Sequence, residues 1–208
     1  MARNQIGSVW SASNETSNDT FQSLPARTIT AGSLVIVVGR FENSGIATVS
    51  VSDTAGATWQ VQSQFNSNIQ TFIAWSYNHP GYTNDVITAT YDVSRSYRNI
   101  AAIELDGSDT TDPAQVANIV KSSAVLNHSM TVSTPCDIFA VQGCYSTSDI
   151  VATSPAVDLI PSENELFLFS AIRNASSSPI TIANTGGGGN QASISLAFSY
   201  PGGGDTTA

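Results

Sequence analysis

GSLVIVVGRFE, residues 32–42, is the stretch of this sequence that decides its fold. Residues 34–38 are five branched aliphatic residues in a row. This run is too short to cross a membrane and too rich in β-branched side chains to favour a helix. Gly32 and Gly39 flank the run. The stretch therefore predicts a β-strand with both faces covered, at the centre of a β-sandwich.

A predicted hairpin follows this strand. Residues 47–51 and 58–62 alternate between apolar and polar side chains, and the turn DTAG at 53–56 joins them. An Asp side chain bonds nearby backbone in such turns, and Gly adopts the positive φ that they require. Apolar or alternating segments predict seven further strands, at residues 69–77, 85–92, 98–106, 125–133, 136–145, 166–172 and 192–200.

The remaining segments are assigned from their composition. Residues 1–26 contain scattered apolar residues, which predicts an N-terminal arm with one short strand near residues 6–11. Residues 113–120 have a weak helical period, enough for one or two turns, and residues 146–161 are predicted as a loop. The Gly-rich segments 186–189 and 201–208 predict a loop and a C-terminal tail.

Together these segments predict an all-β protein, a jelly-roll-like antiparallel β-sandwich of about ten strands. Residues 27–200 are predicted to form a single β-sandwich domain between the arm (1–26) and the tail (201–208). An up-and-down barrel is the alternative fold.

The composition argues against nucleic acid as a partner. Only 11% of the 208 residues are charged, compared with about a quarter in typical domains, and the formal net charge is -9. With seven Lys and Arg residues in all, the chain offers no basic patch that would neutralise a phosphate backbone. Residues 2–20 are polar and lack the apolar stretch of a secretory signal, so we expect synthesis in the cytoplasm and no membrane insertion.

The two cysteines are predicted to be free. Cys136 and Cys144 fall on one predicted strand, eight residues apart. At the rise of a strand this places them on the same face, about 26 Å from each other, which is too far for a disulfide.

Six of these segments together resemble a group of β-sandwich modules found in tailed-phage structural proteins (capsid decoration and tail proteins) and in secreted bacterial surface proteins. The motifs are an AG-x-LVVV strand at 31–38, a V-x-DTAG-x-x-W hairpin at 51–59, an IAWSY strand at 73–77, a D-x-IT-x-T strand at 85–90, an apolar strand with Glu and Gly at 100–107, and a closing small-residue strand with Ala-Phe at 194–198. The resemblance implies a β-sandwich fold and a role in attachment, decoration or glycan contact on a particle or cell surface. It brings no catalytic residues, and the second half of the chain matches it only loosely.

Candidate catalytic residues are few. His79 and His128 are the two histidines available as bases of a hydrolytic triad, and neither neighbours a Gly-x-Ser-x-Gly elbow. Both are interpreted as solvated histidines. A glycosidase needs two acids about 5–10 Å apart, and Glu104 with Asp106 is the pair to test. We therefore predict a protein that is not an enzyme, with a polysaccharide lyase or glycosidase as the competing hypothesis.

Two binding sites are candidates. Asp106, Asp109 and Asp112 recur every three residues and offer hard oxygen ligands to calcium, although the spacing is not that of an EF-hand and Asx turns explain the same residues. Exposed aromatic residues would form a glycan platform, and the candidates for glycan contact are Tyr82, Tyr97 and Trp59.

The sequence favours a non-enzymatic structural protein of a tailed-phage virion, either a capsid decoration protein or a tail component. It would act through assembly and through contact with the host surface. The alternative is a carbohydrate-binding or adhesin module of a bacterial surface or secreted protein. The expected partners are further copies of the chain, in a homo-oligomer such as a trimer, other virion proteins and a cell-surface glycan. No cofactor is expected, and the expected location is the virion.

Overall fold

The computed structural model describes residues 2–42, 45–107, 109–122, 127–144, 150–160, 167–186 and 190–200. For residues 116–122, 150, 160, 185 and 186 it describes the backbone alone. These residues form seventeen strands and no helix: β1 (Trp10–Asn14), β2 (Asp19–Ser23), β3 (Arg27–Ile29), β4 (Leu34–Glu42), β5 (Val49–Ser52), β6 (Gln60–Asn66), β7 (Ile69–Ser76), β8 (Tyr82–Asp85), β9 (Thr88–Leu105), β10 (Ala114–Ser122), β11 (Asn127–Met130), β12 (Cys136–Cys144), β13 (Ile150–Thr153), β14 (Val157–Ile160), β15 (Phe167–Ala175), β16 (Ile180–Gly186) and β17 (Gln191–Ser199).

The first half of the chain forms two β-layers that share one long strand. The inner layer has the antiparallel order β1-β9-β4-β7-β6. The 18-residue strand β9 pairs with β1 and β4 through residues 96–105, and with β2 and β5 through residues 88–95. β2 and β5 therefore form the outer layer with the first part of β9, next to the small β3-β8 pair.

The second half repeats this two-layer plan with different connections. Its inner layer has the antiparallel order β10-β17-β12-β15-β14, and its outer layer is β11-β16-β13. Every strand pairing in this half joins residues between 114 and 199. Each half thus forms its own two-layer β-sandwich. That residues 27–200 form a single domain stays a prediction.

The two inner layers pack face to face. Successive side chains of β4 point to opposite faces of its sheet, so the strand contributes to two separate cores. Leu34, Ile36 and Val38 belong to a buried cluster with residues of β12, β15 and β17, so this cluster joins the two sandwiches. Val35 and Val37 point the other way, into the core between β4 and the outer layer of the first sandwich. A third cluster fills the second sandwich. The described residues therefore form four β-layers, and β4 lies in an inner one.

The prediction of an all-β sandwich is confirmed, and so is the covering of both faces of residues 34–38, which are all fully buried. The first inner layer ends at the edge strands β1 and β6. An up-and-down barrel, the alternative fold, would have no such edges. The jelly-roll connectivity stays a prediction. Both cysteines are buried thiols that form no disulfide, as predicted.

Several assignments outside the apolar runs are wrong. The segment with a helical period, 113–120, is part of strand β10, because pairing with β17 outweighs a weak local pattern. The predicted strand near residues 6–11 lies at 10–14, and residues 19–23 add β2. The predicted loop 146–161 contains β13 and β14. The predicted hairpin of residues 47–51 and 58–62 is also wrong, because β5 pairs with β9 and β6 pairs with β7, so only the turn at 53–56 is as expected. The expected C-terminal tail 201–208 and most of the Gly-rich loop 186–189 lie outside the described residues.

Candidate functional site: a buried Asp–His–Asp cluster

The first sandwich contains three ligand-type side chains that converge, Asp53, His79 and Asp85. We call them the Asp–His–Asp cluster. One polar atom from each lies within 4.8 Å of the others, and the described residues contain no second group of this kind. All three side chains have 0% exposure. The cluster is therefore the most concentrated set of potential ligands or acid–base groups in the described part of the chain.

Asp53 enters the cluster through the turn predicted from DTAG. Its Oδ1 accepts a hydrogen bond from the backbone N–H of Ala57 at 2.9 Å, and Gly56 has φ 72°. Its Oδ2 accepts from the indole Nε1 of Trp59 at 2.9 Å and from Nε2 of His79 at 3.0 Å. The DTAG-x-x-W motif thus forms a turn in which the carboxylate of Asp53 binds both the backbone of Ala57 and the indole of Trp59.

Asp85 comes from the end of β8 and holds the same turn from the other side. Its Oδ1 accepts from the backbone N–H groups of Thr54 at 2.9 Å and Ala55 at 3.2 Å. Its Oδ2 lies 3.3 Å from Nε2 of His79 and accepts no hydrogen bond from the described residues. The two acids therefore face each other across the histidine ring.

His79 is fixed by its backbone and by one ring nitrogen. Its N–H donates to the carbonyl of Ser33 at 3.0 Å, and its carbonyl accepts from Gly32 at 2.8 Å. The N–H of Gly81 donates to Nδ1 at 3.0 Å. Gly81 has φ 78°, and a Cβ there would lie 2.6 Å from the backbone N of Ala31, so only glycine fits. Nδ1 is an acceptor, which puts the proton of the neutral ring on Nε2.

This tautomer decides what the cluster can do chemically. A tetrahedral zinc ion with ligands at about 2.0–2.2 Å spaces its ligand atoms about 3.3–3.6 Å apart. The distances from Nε2 of His79 to the two carboxylates, 3.0 and 3.3 Å, are at or just below this range. However, a metal needs the lone pair of Nε2, and that atom carries the ring proton and points it at the two carboxylates. The residues therefore do not fit a metal. They fit a hydrogen-bond centre in which the Nε2–H of His79 donates to Asp53 and lies 3.3 Å from Asp85, while the backbone of His79 binds Ser33.

The second histidine is also buried, contrary to the prediction of a solvated residue. His128, on β11, is 1% exposed, and its Nδ1 lies 2.6 Å from Oγ of Ser195. Its Nε2 lies 3.2 Å from Oγ of Ser193. Burial lowers the pKa of His128 to about 4, so the ring is neutral at pH 7. His128 therefore binds the hydroxyls of Ser193 and Ser195 in a buried place that a substrate does not reach.

The predicted calcium ligands each bind a different part of the chain. Asp109 accepts from Nη2 of the buried Arg3 through both oxygens at 2.9 Å. Desolvation by burial raises the pKa of Asp109, and Arg3 opposes this effect. Asp112 accepts from the indole of Trp75 at 2.9 Å, and Asp106 accepts from the backbone and side chain of Asn4. The structure does not bring the three carboxylates together as a ligand group.

The predicted glycan residues are also separated. Trp59 has its indole N–H on Asp53 and packs against the first-sandwich core. Tyr82 is 48% exposed and Tyr97 is 41% exposed. Tyr82 pairs with Ile29 near the start of β4, whereas Tyr97 lies beside Glu42 at its end. The nine residues of β4 span about 27 Å, so the two tyrosines lie too far apart to form one platform.

The predicted acid pair has structural partners as well. Glu104 is 1% exposed, and its Oε1 accepts from the backbone N–H of Thr30 at 2.7 Å. Asp106 is bonded to Asn4, as described above. Glu104 thus faces the interior of the molecule and not an open cleft.

In the comparisons with known proteins, no family model, curated protein or solved structure matches the chain. Among the described residues, no helix has the length and apolar character needed to span a membrane.

Proposed function

We propose that this chain is a non-enzymatic structural protein of a tailed-phage virion, a capsid decoration protein or a tail component. It is made in the host cytoplasm and acts by assembling with other copies and other virion proteins. Contact with the host surface is a further role of the assembled particle.

The observation that supports this proposal is that two of the motifs that resemble phage structural modules contact each other in the structure. Asp53 and Trp59 belong to the V-x-DTAG-x-x-W motif, and Asp85 is the first residue of the D-x-IT-x-T motif. All three meet in or beside the Asp–His–Asp cluster. Motifs that are distant in sequence therefore describe one buried structural unit, as expected of a module selected for its shape rather than for a reaction.

The layer arrangement supports the same role. Two sandwiches share a continuous apolar cluster contributed by both inner layers. Arg40 adds a polar link, because its Nη2 donates to the carbonyl of Cys144 in the second sandwich at 3.2 Å. A shared core of this kind holds the two sandwiches together, which suits a component of a particle.

The enzyme hypothesis has weaker support. The acids and histidines proposed for catalysis are held by internal hydrogen bonds, and the Asp–His–Asp side chains have 0% exposure. A glycan-binding role would have to use Tyr82 or Tyr97 separately, because they lie at opposite ends of β4. The described geometry therefore favours the structural role over both alternatives.

The proposal is tested on particles induced from the strain that carries the gene. We expect quantitative mass spectrometry of gradient-purified particles to find the chain at a fixed ratio to the major capsid protein. Gold-labelled antibody should then mark one position on the capsid or tail. Particles that lack the chain while the cell lysate contains it would refute the proposal. Binding of the purified chain to a glycan array, abolished by Tyr82→Ala or Tyr97→Ala, would favour the adhesin alternative instead.

A further inference from the structure

Among the described residues, strand β6 is a sheet edge that lacks the charges, prolines and bulges by which such edges are usually protected. It ends the path β1-β9-β4-β7-β6, and among the described strands its only partner is β7. Natural edge strands are shielded by charges, prolines or bulges, because unpaired N–H and C=O groups recruit other strands. The sequence of β6, QVQSQFN, has no charge and no proline, and its pairing with β7 has no register shift. A chain of net charge -9 thus carries a seven-residue neutral edge.

The sequence of this edge reads the same, by residue type, from both ends. Around the central Ser63 the order is amide, apolar, amide, serine, amide, apolar, amide. An antiparallel copy centred on Ser63 would give the cross-strand pairs Gln60–Asn66, Val61–Phe65, Gln62–Gln64 and Ser63–Ser63. In each pair an amide faces an amide, an apolar side chain faces an apolar one, or serine faces serine. A two-fold axis brings residue i of one copy against residue j of the other and j against i, and here every such pair is compatible.

The hydrogen-bond pattern of the β6–β7 hairpin is also consistent with a two-fold axis at Ser63. β6 and β7 are joined by the two residues 67–68, and Asn66 is opposite Ile69. In a two-residue hairpin this closing pair is hydrogen-bonded, so residues 60, 62, 64 and 66 direct their backbone groups to β7. Val61, Ser63 and Phe65 then direct theirs outward. A two-fold axis at Ser63 makes these three the hydrogen-bonded positions of the new strand pair. The carbonyl of Phe65 accepts a hydrogen bond from Nε2 of Gln64 at 2.7 Å, which an incoming strand would share or displace.

We propose that two copies of this chain associate through β6, antiparallel and about a two-fold axis at Ser63. The occupant is a second copy because the strand is complementary to itself. The contact extends the inner layer of the first sandwich into the same layer of the neighbouring copy. It is a two-fold contact, unlike the trimer expected from the sequence, and it does not depend on whether the chain is part of a virion.

The first test changes the charge at the axis. The wild-type chain should show, by size-exclusion chromatography with light scattering, a mass of twice 21.7 kDa that falls towards 21.7 kDa on dilution. Ser63→Lys places two like charges directly opposite each other and should give the single-chain mass at all concentrations. Ser63 is exposed, so the fold should be kept, as shown by an unchanged thermal midpoint. Ser50→Lys adds the same charge at an exposed position on β5 and should leave the dimer intact.

The second test traps the contact. Opposite residues of a hydrogen-bonded antiparallel pair have Cα atoms about 5.5 Å apart, within disulfide range. Ser63→Cys should therefore form a covalent dimer under mild oxidation, and Ser50→Cys should not. The native Cys136 and Cys144 are buried and do not compete. A wild-type chain that stays monomeric, a Ser63→Lys variant that stays dimeric, or equal cross-linking of the two cysteine variants would each overturn the proposal.

Discussion

His128 makes the stability of this protein depend on pH in a window that can be calculated. Burial lowers the pKa of the folded-state ring to about 4, from an ordinary value of 6.5. Below pH 6.5 the unfolded chain binds a proton that the folded chain excludes until about pH 4. The contribution of His128 is therefore fully present above pH 6.5 and is lost as the pH falls towards 4.

The size of the effect follows from these two pKa values. The full difference corresponds to about 3 kcal/mol, and the part lost between pH 7 and pH 5 is about 2 kcal/mol. We expect urea unfolding, followed by tryptophan fluorescence at constant ionic strength, to show this loss in the free energy of unfolding. Carboxyl groups add their own pH dependence, so a matched variant is needed.

His128→Gln supplies that comparison. The variant keeps His79 and every carboxyl group but has no titrating ring at residue 128, so its free energy of unfolding should fall by about 2 kcal/mol less than that of the wild type between pH 7 and pH 5. Its absolute stability will also be lower, because one of the serine contacts is lost, but only the change with pH is compared. Equal changes in the two proteins would refute the reasoning. If the variant does not fold, NMR of the wild-type ring gives the same answer, since a His128 signal that titrates near pH 6.5 would contradict the buried neutral state.

Further predictions concern the cluster, its glycine and the thiols. Gly81→Ala should lower the free energy of unfolding by about 2–4 kcal/mol, whereas Gly56→Ala, at a similar φ but with open space around its Cβ, should cost about 1 kcal/mol in the same urea assay. Trp59→Phe removes the donor to the buried Oδ2 of Asp53 and should cost about 1–3 kcal/mol in that assay. Because Nε2 carries the ring proton, EDTA should leave the thermal midpoint unchanged and metal analysis should find no stoichiometric zinc. Burial raises the pKa of the Cys136 thiol to about 11, so a disulfide reagent at pH 8 should modify it only after unfolding.

The sequence predicts the parts of the fold that local patterns control. Residues 34–38 specify a doubly buried strand because five apolar side chains in a row leave no face for water. The DTAG turn is likewise predictable, since the bond from Ala57 to Asp53 spans only four residues. The strand character of 114–122 was missed because it depends on pairing with β17, about 75 residues further along the chain.

The site was less predictable than the fold. His79 lies in a His-Pro-Gly turn, a context typical of solvated residues, and its burial depends on Asp53, 26 residues away. His128 meets Ser195 across 67 residues. No periodicity of the sequence reports contacts of this range. The one usable signal was chemical: the motif containing Asp53 and Trp59 pairs an acid with an indole donor that needs an acceptor when buried.

The way the strand pairings divide between the two halves has a consequence for synthesis on the ribosome. All pairings of the first sandwich lie within residues 5–105, so its layers can assemble before the second half has been translated. Until then the face formed by Leu34, Ile36, Val38 and Ile103 has no covering layer. A nascent chain at this stage presents a broad apolar surface, which is the kind of surface that chaperones bind and that aggregates in their absence. Completion of the second sandwich ends that exposure, so translation speed beyond residue 107 should affect the yield of native protein.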